Sequence, residues 1–128
     1  MNANNRRLNL LLVDDSVMMR TMLKRAAGLS QVPLGTIYEA ANGRDALRLL
    51  EEVPIDAVFT DINMPVMTGL ELLEAIDGQE RWRDLLRVII STDGSTAHRD
   101  QARQLRAELY IEKPFRPEAI RDVLASLL

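Results

Sequence analysis

The sequence predicts an α/β protein: a doubly wound, five-stranded parallel sheet in a (βα)5 arrangement. Three observations predict it. Short apolar runs alternate with helix-spaced apolar patterns five times along the chain. The third and fourth runs, DAVFT and RVIIS, are bounded apolar runs without alternation, so both faces of their sheet should be covered. The chain has 128 residues, of which 47% are hydrophobic and 27% charged, the size and composition of one domain with its own core.

Residues 1–7 are polar and read as a disordered tail. Leu8–Val13 is a buried strand closed by Asp14-Asp15. Val17–Ala27 follows with helical spacing, which places Met18, Met19 and Met22 in or near the core; Gly28 suits its C-cap and Pro33 bars its continuation. Thr36–Glu39 is a weak second strand, Asn42-Gly43 a turn, and Arg44–Glu52 a helix stopped by Pro54. Asp56–Thr60 is the third strand. Thr68-x-x-Glu71 is a capping box that opens a helix over Gly69–Ile76. Trp82 reads as a half-exposed anchor before the fourth strand, Arg87–Ser91. Thr96–Arg106 is a helix with a thin apolar face of Ala97, Ala102 and Leu105, and so the least stable element expected. Leu109–Ile111 is the fifth strand. Pro117, favourable at the first helical position, opens a last helix to about Leu127.

Composition excludes several functions. The chain has no cysteine, hence no disulfide framework, thiolate zinc site or cysteine nucleophile. Its longest fully apolar run is Leu10–Val13, and no signal-peptide pattern precedes it, so a cytoplasmic protein is expected. A net charge of -3 gives no footprint for nucleic acid or for a membrane surface.

Ligands of an open α/β sheet bind outside the carboxyl ends of its strands. There the sequence places Asp14 and Asp15, then Asp61, then Ser91 and Thr92, then Lys113-Pro114. Crowded carboxylates repel one another unless a cation lies between them. An oxygen-only donor set selects a hard divalent ion, Mg²⁺ before Ca²⁺ when protein oxygens are few. With positive charge supplied, Asp61 can act as a nucleophile towards a phosphoryl group, Lys113 can meet one phosphoryl oxygen and Ser91 can donate to another. Asp14-Asp15 alone would be read as helix-capping residues; Asp61 and Lys113 change that reading.

At these residues the chain resembles a response-regulator receiver domain of bacterial two-component signalling. The resemblance rests on Asp14-Asp15, on Asp61-x-Asn63-Met64-Pro65-x-Met67-x-Gly69, on the hydroxyl ending the fourth strand and on Lys113-Pro114-Phe115, and it covers about Leu8 to Leu128 as the receiver domain. It implies a flavodoxin-like, CheY-like fold with strand order 2-1-3-4-5. It implies Asp61 as phosphoacceptor, with Mg²⁺ (Mn²⁺ as a substitute) held by Asp14, Asp15, Asp61 and the backbone carbonyl of Asn63. Lys113 would bind the phosphoryl group, Ser91 would be the switch hydroxyl and Tyr110 the switch aromatic, and Lys113-Pro114 would be cis. A strand alternates sides, so only one of Ser91 and Thr92 faces the site. The spacing from Asp61 and to Lys113 in stand-alone chemotaxis-type regulators selects Ser91 and leaves Thr92 as the minority reading. Thr92, Ile62 and Asn63 would modulate access beside the site.

The implied function is a phosphorylation switch, not an enzyme acting on an external substrate; it would catalyse only its own phosphorylation and dephosphorylation. A histidine kinase or phosphotransfer protein would donate, and a target protein would dock on the face of the fourth helix, fifth strand and fifth helix, with the chain a monomer or weak dimer. The chain ends at its last helix, so no effector domain is expected; a relay intermediate, a phosphate sink and a receiver cut from a longer protein fit equally. An unphosphorylated docking module is opposed by the intact acidic set and Lys113. A metal-dependent aspartyl phosphohydrolase is opposed by Asn63, which cannot be the acid/base two positions after the nucleophile. Two departures stand out: Arg106-Ala107 replaces the Gly-Ala common before the fifth strand, and Arg99, Arg103 and Arg106 form a basic stripe, read slightly in favour of a solvated face over a docking surface. His98 is read as an ordinary surface histidine.

Overall fold

The computed structural model describes residues 6–128. Its five strands are β1 (Leu8–Val13), β2 (Leu34–Ala40), β3 (Ala57–Thr60), β4 (Leu86–Ser91) and β5 (Leu109–Glu112). They form one parallel sheet in the order β2-β1-β3-β4-β5, as expected. The helices are α1 (Val17–Leu29), α2 (Gly43–Glu52), α3 (Gly69–Ile76), α4 (Thr96–Gln104) and α5 (Pro117–Ala125), with a 3₁₀ turn at Glu80–Trp82. No helix among the described residues is long and apolar enough to cross a membrane. The tail expected over residues 1–7 lies, for residues 1–5, outside the described residues; Arg6 pairs with Asp56 at 2.6 Å.

The bounded apolar runs bury both faces of the sheet. Leu8, Leu10 and Leu12 of β1 pack with Phe59, Val88 and Ile90 against Leu23, Ala26 and Ala27 of α1 and Ile120, Val123 and Leu124 of α5. Leu11 and Val13 face the other way, with Val58 and Ile89, against α2, α3 and Ala102 of α4. Each buried leucine of this kind contributes about 1.5–3 kcal/mol.

Five local expectations are corrected. Helix α1 runs past Gly28 to Leu29, because the backbone N–H and hydroxyl of Ser30 both donate to the Ala27 carbonyl and cap it there. On α1 the buried stripe is Leu23, Ala26 and Ala27; Met18 and Met22 lie off it and are 73% and 46% exposed. Asn42-Gly43 is more than a turn: Asn42 is the N-cap of α2, accepting from the Asp45 N–H, and Gly43 donates its N–H to the Met67 carbonyl. Trp82 is buried rather than half-exposed, closing the core below α3. Helix α4 stops at Gln104, so Arg106 leaves the helical stripe. Arg106 takes a left-handed φ of 68°, which explains why glycine suits this position.

Candidate functional site

The parallel ladders carry the chemistry-bearing residues to one edge. The Asp14 N–H donates to the Ala40 carbonyl, continuing the β1–β2 ladder, and the Asp61 N–H donates to the Val13 carbonyl, continuing β1–β3. The Lys113 N–H donates to the Ser91 carbonyl, continuing β4–β5. Asp14 and Asp61 therefore stand side by side where the strand order reverses, the crevice in which open α/β sheets bind ligands.

Carboxylate oxygens of Asp14, Asp15 and Asp61 all lie within 4.8 Å of one another. Asp14 is buried, Asp61 half-buried and Asp15 exposed. The two inner carboxylates are held by backbone donors: Ser16 N–H to Asp14 Oδ1 at 2.9 Å, and Ile62 N–H to Asp61 Oδ1 at 2.7 Å. Their second oxygens face Lys113, whose Nζ lies 2.9 Å from Asp14 Oδ2 and 3.1 Å from Asp61 Oδ2. Burial alone would lower the Lys113 pKa; its hydrogen bonds to Asp14 and Asp61 outweigh that and hold it above the ordinary lysine value. One ammonium bridges two of the three carboxylates, so the cluster keeps excess negative charge. Three clustered oxygen donors without nitrogen or sulfur fit a hard divalent cation.

The loop after Asp61 is tightly built. The Met67 N–H donates to the Pro65 carbonyl across Val66, which has a φ of 72°. This is the strained form of the γ-turn, and a β-branched residue is rare in it. A Cβ on Gly69 would stand 1.9 Å from the Asp61 carbonyl oxygen, so only glycine lets α3 start this close to the site. Thr68 caps α3 with the expected box, and Lys113-Pro114 is cis.

Ser91 is fully buried and Thr92 exposed, so the two diverge as strand alternation requires. Ser91 Oγ accepts from the Asp93 N–H at 3.2 Å. Asn63 is exposed beside the site. Ile62 corrects its expected place: its side chain is buried in the α2–α3 core, and it meets the site through its N–H alone.

Sequence reasoning missed Asp93 and Glu112, and placed Arg99 only in a basic stripe. The Tyr110 hydroxyl donates to the Asp93 carbonyl, and the Arg99 guanidinium lies 4.5 Å above the Tyr110 ring while pairing with Glu112. Burial, then the Asp93 charge, raises the Tyr110 pKa. The Ser95 N–H is the main cause that lowers the Asp93 carboxyl, and His98 Nδ1 lies 2.7 Å from its Oδ2. The basic stripe is thus broken: Arg99 turns to Tyr110, Arg106 sits 3.8 Å from Asp77, and Arg103 stays exposed. The signal available beforehand was the Asp93-Gly94-Ser95 turn, in which Asp93 Oδ1 accepts from Ser95. Arg20 was also missed; it donates to the Asp14 carbonyl and to Glu39, which Lys24 and Arg20 hold below the usual carboxyl value.

Residues 10–125 match the family model described as response regulator receiver domain. The chain is 32% identical over 122 residues to the "Chemotaxis protein CheY homolog" of Campylobacter jejuni, covering 94% of this chain and 92% of that protein. It is equally identical to "Chemotaxis protein CheY1" of Helicobacter pylori, covering 97% of that protein. Among solved structures, the chemotaxis response regulator CheY4 of Vibrio cholerae superposes with a TM-score of 0.82 at 29% identity, covering 96% of this chain and all of that one.

Proposed function

The chain belongs to the response regulator receiver domain family, and from that premise we propose that Asp61 is its phosphoacceptor. It is a phosphorylation-dependent response regulator, and the single observation that carries the assignment is Lys113 bridging Asp14 and Asp61 inside the three-carboxylate cluster. Asp61 Oδ2 forms the new P–O bond as the donor's P–N bond breaks; the electron pair of that bond returns to the ring nitrogen, and the imidazole, protonated on its other nitrogen, departs neutral. The product is an aspartyl phosphate. Lys113 then exchanges a carboxylate oxygen for a phosphoryl oxygen, and Ser91 turns its hydroxyl from the Asp93 N–H towards another. Asp14, Asp15, Asp61 and the Asn63 carbonyl hold Mg²⁺, which when bound offsets the repulsion between these carboxylates and the phosphoryl oxygens. Catalysis is confined to the chain's own phosphorylation and dephosphorylation.

Family members act between a kinase and a downstream target. A histidine kinase or phosphotransfer protein is the donor here, in the cytoplasm. The target meets α4, β5 and α5, where Arg103 and Leu109 are exposed. Ser91 and Tyr110 pass the change to that face through Asp93, to which both bond.

Intact-mass spectrometry after incubation with Mg²⁺ and acetyl phosphate tests the assignment. One hydroxylamine-labile phosphoryl adduct is expected, absent in EDTA and absent in Asp61→Asn. An adduct that persists in Asp61→Asn overturns Asp61 as the acceptor. No adduct from acetyl phosphate or from a phosphohistidine protein, with Mg²⁺ still bound, would make the chain an unphosphorylated docking module.

A further inference from the structure

The end of the sheet opposite Asp61 carries a charge that receiver chemistry does not use. Arg87 is the second residue of β4 and is 2% exposed. Its Nη1 donates to the Leu105 carbonyl at 3.2 Å and its Nη2 to the Trp82 carbonyl at 3.0 Å, both neutral acceptors. Its Nε is buried with no partner. Among the described residues no carboxylate oxygen lies within 4.0 Å of it. Asp77 and Glu108 act on it from farther out, and Arg106 opposes them. Burial is the main cause lowering its pKa, yet an arginine stays charged at neutral pH. A buried cation without a counter-ion is costly, and carbonyl dipoles offset only part of that cost.

A cavity of about 250 Å³ has Arg87 in its wall, with Gly78, Gln79, Glu80, Arg83 and Arg106. Three of its six lining residues are arginines. Two backbone features shape it: Gly78 at φ 80° and Arg106 at φ 68°. At Arg106 a bulky side chain stands where glycine would be unstrained, and strain of this kind marks positions where the side chain has a use. The lone carboxylate in the lining, Glu80, is paired with Arg83 at 2.6 Å and is largely exposed.

We propose that this cavity binds a phosphate-type oxyanion, inorganic phosphate or a phosphomonoester, between Arg87, Arg83 and Arg106. The guanidinium fork matches tetrahedral oxyanions in geometry, and such charge-assisted bonds are the strong ones. The anion supplies the counter-charge that Arg87 lacks, and it competes with Glu80 for Arg83. The site is independent of Asp61, so it stands or falls apart from the phosphoacceptor assignment.

An NMR titration of amide shifts with sodium phosphate, in EDTA and at ionic strength held constant with chloride, reads both ends of the sheet. Saturable shifts are expected at Gly78, Gln79 and Arg106; shifts confined to Ser91 and Lys113 would place phosphate at the other edge and overturn the proposal. Arg106→Gln should weaken binding about tenfold, and Arg87→Met should abolish it. Glu80→Gln should tighten it about threefold by freeing Arg83. An unchanged midpoint in Arg106→Gln and Glu80→Gln also overturns the site. Both alter exposed side chains, so these two variants decide the matter even if Arg87→Met does not fold. Glycerol 3-phosphate binding tighter than inorganic phosphate would identify a phosphomonoester, and weaker binding the free anion.

Discussion

Strands β1 and β3 and strand β5 belong to one sheet but are held in different ways. All four residues of β3 are buried, as are five of the six in β1, and the carboxylates that follow them are fixed by backbone donors. Strand β5 has no buried residue, and its neighbour α4 buries only Ala102, against five buried residues on α3. Beyond the packing at Ala102, what ties α4 and the turn before it to β5 is a set of partly exposed contacts: Arg99 with Glu112, Arg99 over Tyr110, and Tyr110 on the Asp93 carbonyl. Contacts of that kind contribute under ~1 kcal/mol each. The half that positions the reacting groups is set by the core, and the half that reports is left near balance, where one phosphoryl group can shift it.

The largest effect should come from crowding the rigid half. An alanine for glycine inside a helix ordinarily stabilises by up to ~1 kcal/mol. Gly69→Ala would instead place a methyl group 1.9 Å from the Asp61 carbonyl oxygen and 2.9 Å from its carbon, both backbone atoms that cannot swing aside. A loss of about 3 kcal/mol in urea denaturation is expected, with slower phosphorylation as Asp61 is displaced. A gain in stability would show that the β3–α3 loop is softer than the ladder implies.

Next comes Lys113→Met, which leaves Asp14 and Asp61 facing each other without their shared cation. Their side chains are 3% and 12% exposed, so a loss of about 2 kcal/mol at neutral pH in EDTA is expected, partly restored by Mg²⁺. The Lys113 pKa is raised by folding, so its contribution is fully present below the ordinary lysine value. It is lost as pH rises through the folded value. The stability gap between wild type and Lys113→Met should therefore stay constant through neutral pH and close under alkaline conditions. Asp61→Asn removes one of the like charges and should leave metal-free stability equal or higher. A clearly destabilised Asp61→Asn would contradict the crowded-carboxylate picture.

A smaller gain is expected in the same loop. Val66 is 72% exposed at a φ of 72°, so it has a strained backbone and little burial to offset it. Val66→Asn should stabilise by about 1 kcal/mol in thermal or urea unfolding. No change would mean that Val66 is strained less than its angle implies.

The same contrast governs what could be read from the sequence. Where burial decides, pattern sufficed: the short, bounded apolar runs of β1, β3 and β4 gave the strands, their covered faces and hence the edge on which Asp14, Asp61 and Lys113 meet. Strand alternation, joined to spacing, separated buried Ser91 from exposed Thr92. Where side chains meet one to one, pattern failed. Met18, Met19 and Met22 all fit helical spacing, yet the stripe that faces the sheet runs through Met19 and Leu23, each one residue and about 100° away from Met18 and Met22. The regular stripe of Arg99, Arg103 and Arg106 dissolved because Arg99 has Tyr110 beside it and α4 ends before Arg106. Nothing local announces either event. The buried cation at Arg87 was hidden for the same reason: inside RVIIS it looks like the polar first residue of a strand, and it takes the Glu80–Trp82 turn and the segment at Leu105, both distant from it in pattern, to cover it.

The smallest expected effect in energy is the one that tests the soft half most directly. Arg99→Ala removes a pair whose members are 34% and 56% exposed, together with one contact on a half-buried ring. Global stability should fall by under ~1 kcal/mol, because Arg99 and Glu112 belong to neither core cluster and Tyr110 keeps its packing against one. Native-state hydrogen exchange should respond unevenly. Amides of α4 and β5 should exchange several-fold faster, since these contacts close the fluctuations that open that edge, while β1 and β3, which open only with the whole fold, should follow the small global change. Tyr110 should leave the Asp93 carbonyl more often, which a ring-labelled tyrosine signal would register against Tyr38 on the far edge strand. If exchange in β1 rose as much as in α4, the sheet would be one cooperative unit, and the division between a positioning half and a reporting half would be wrong.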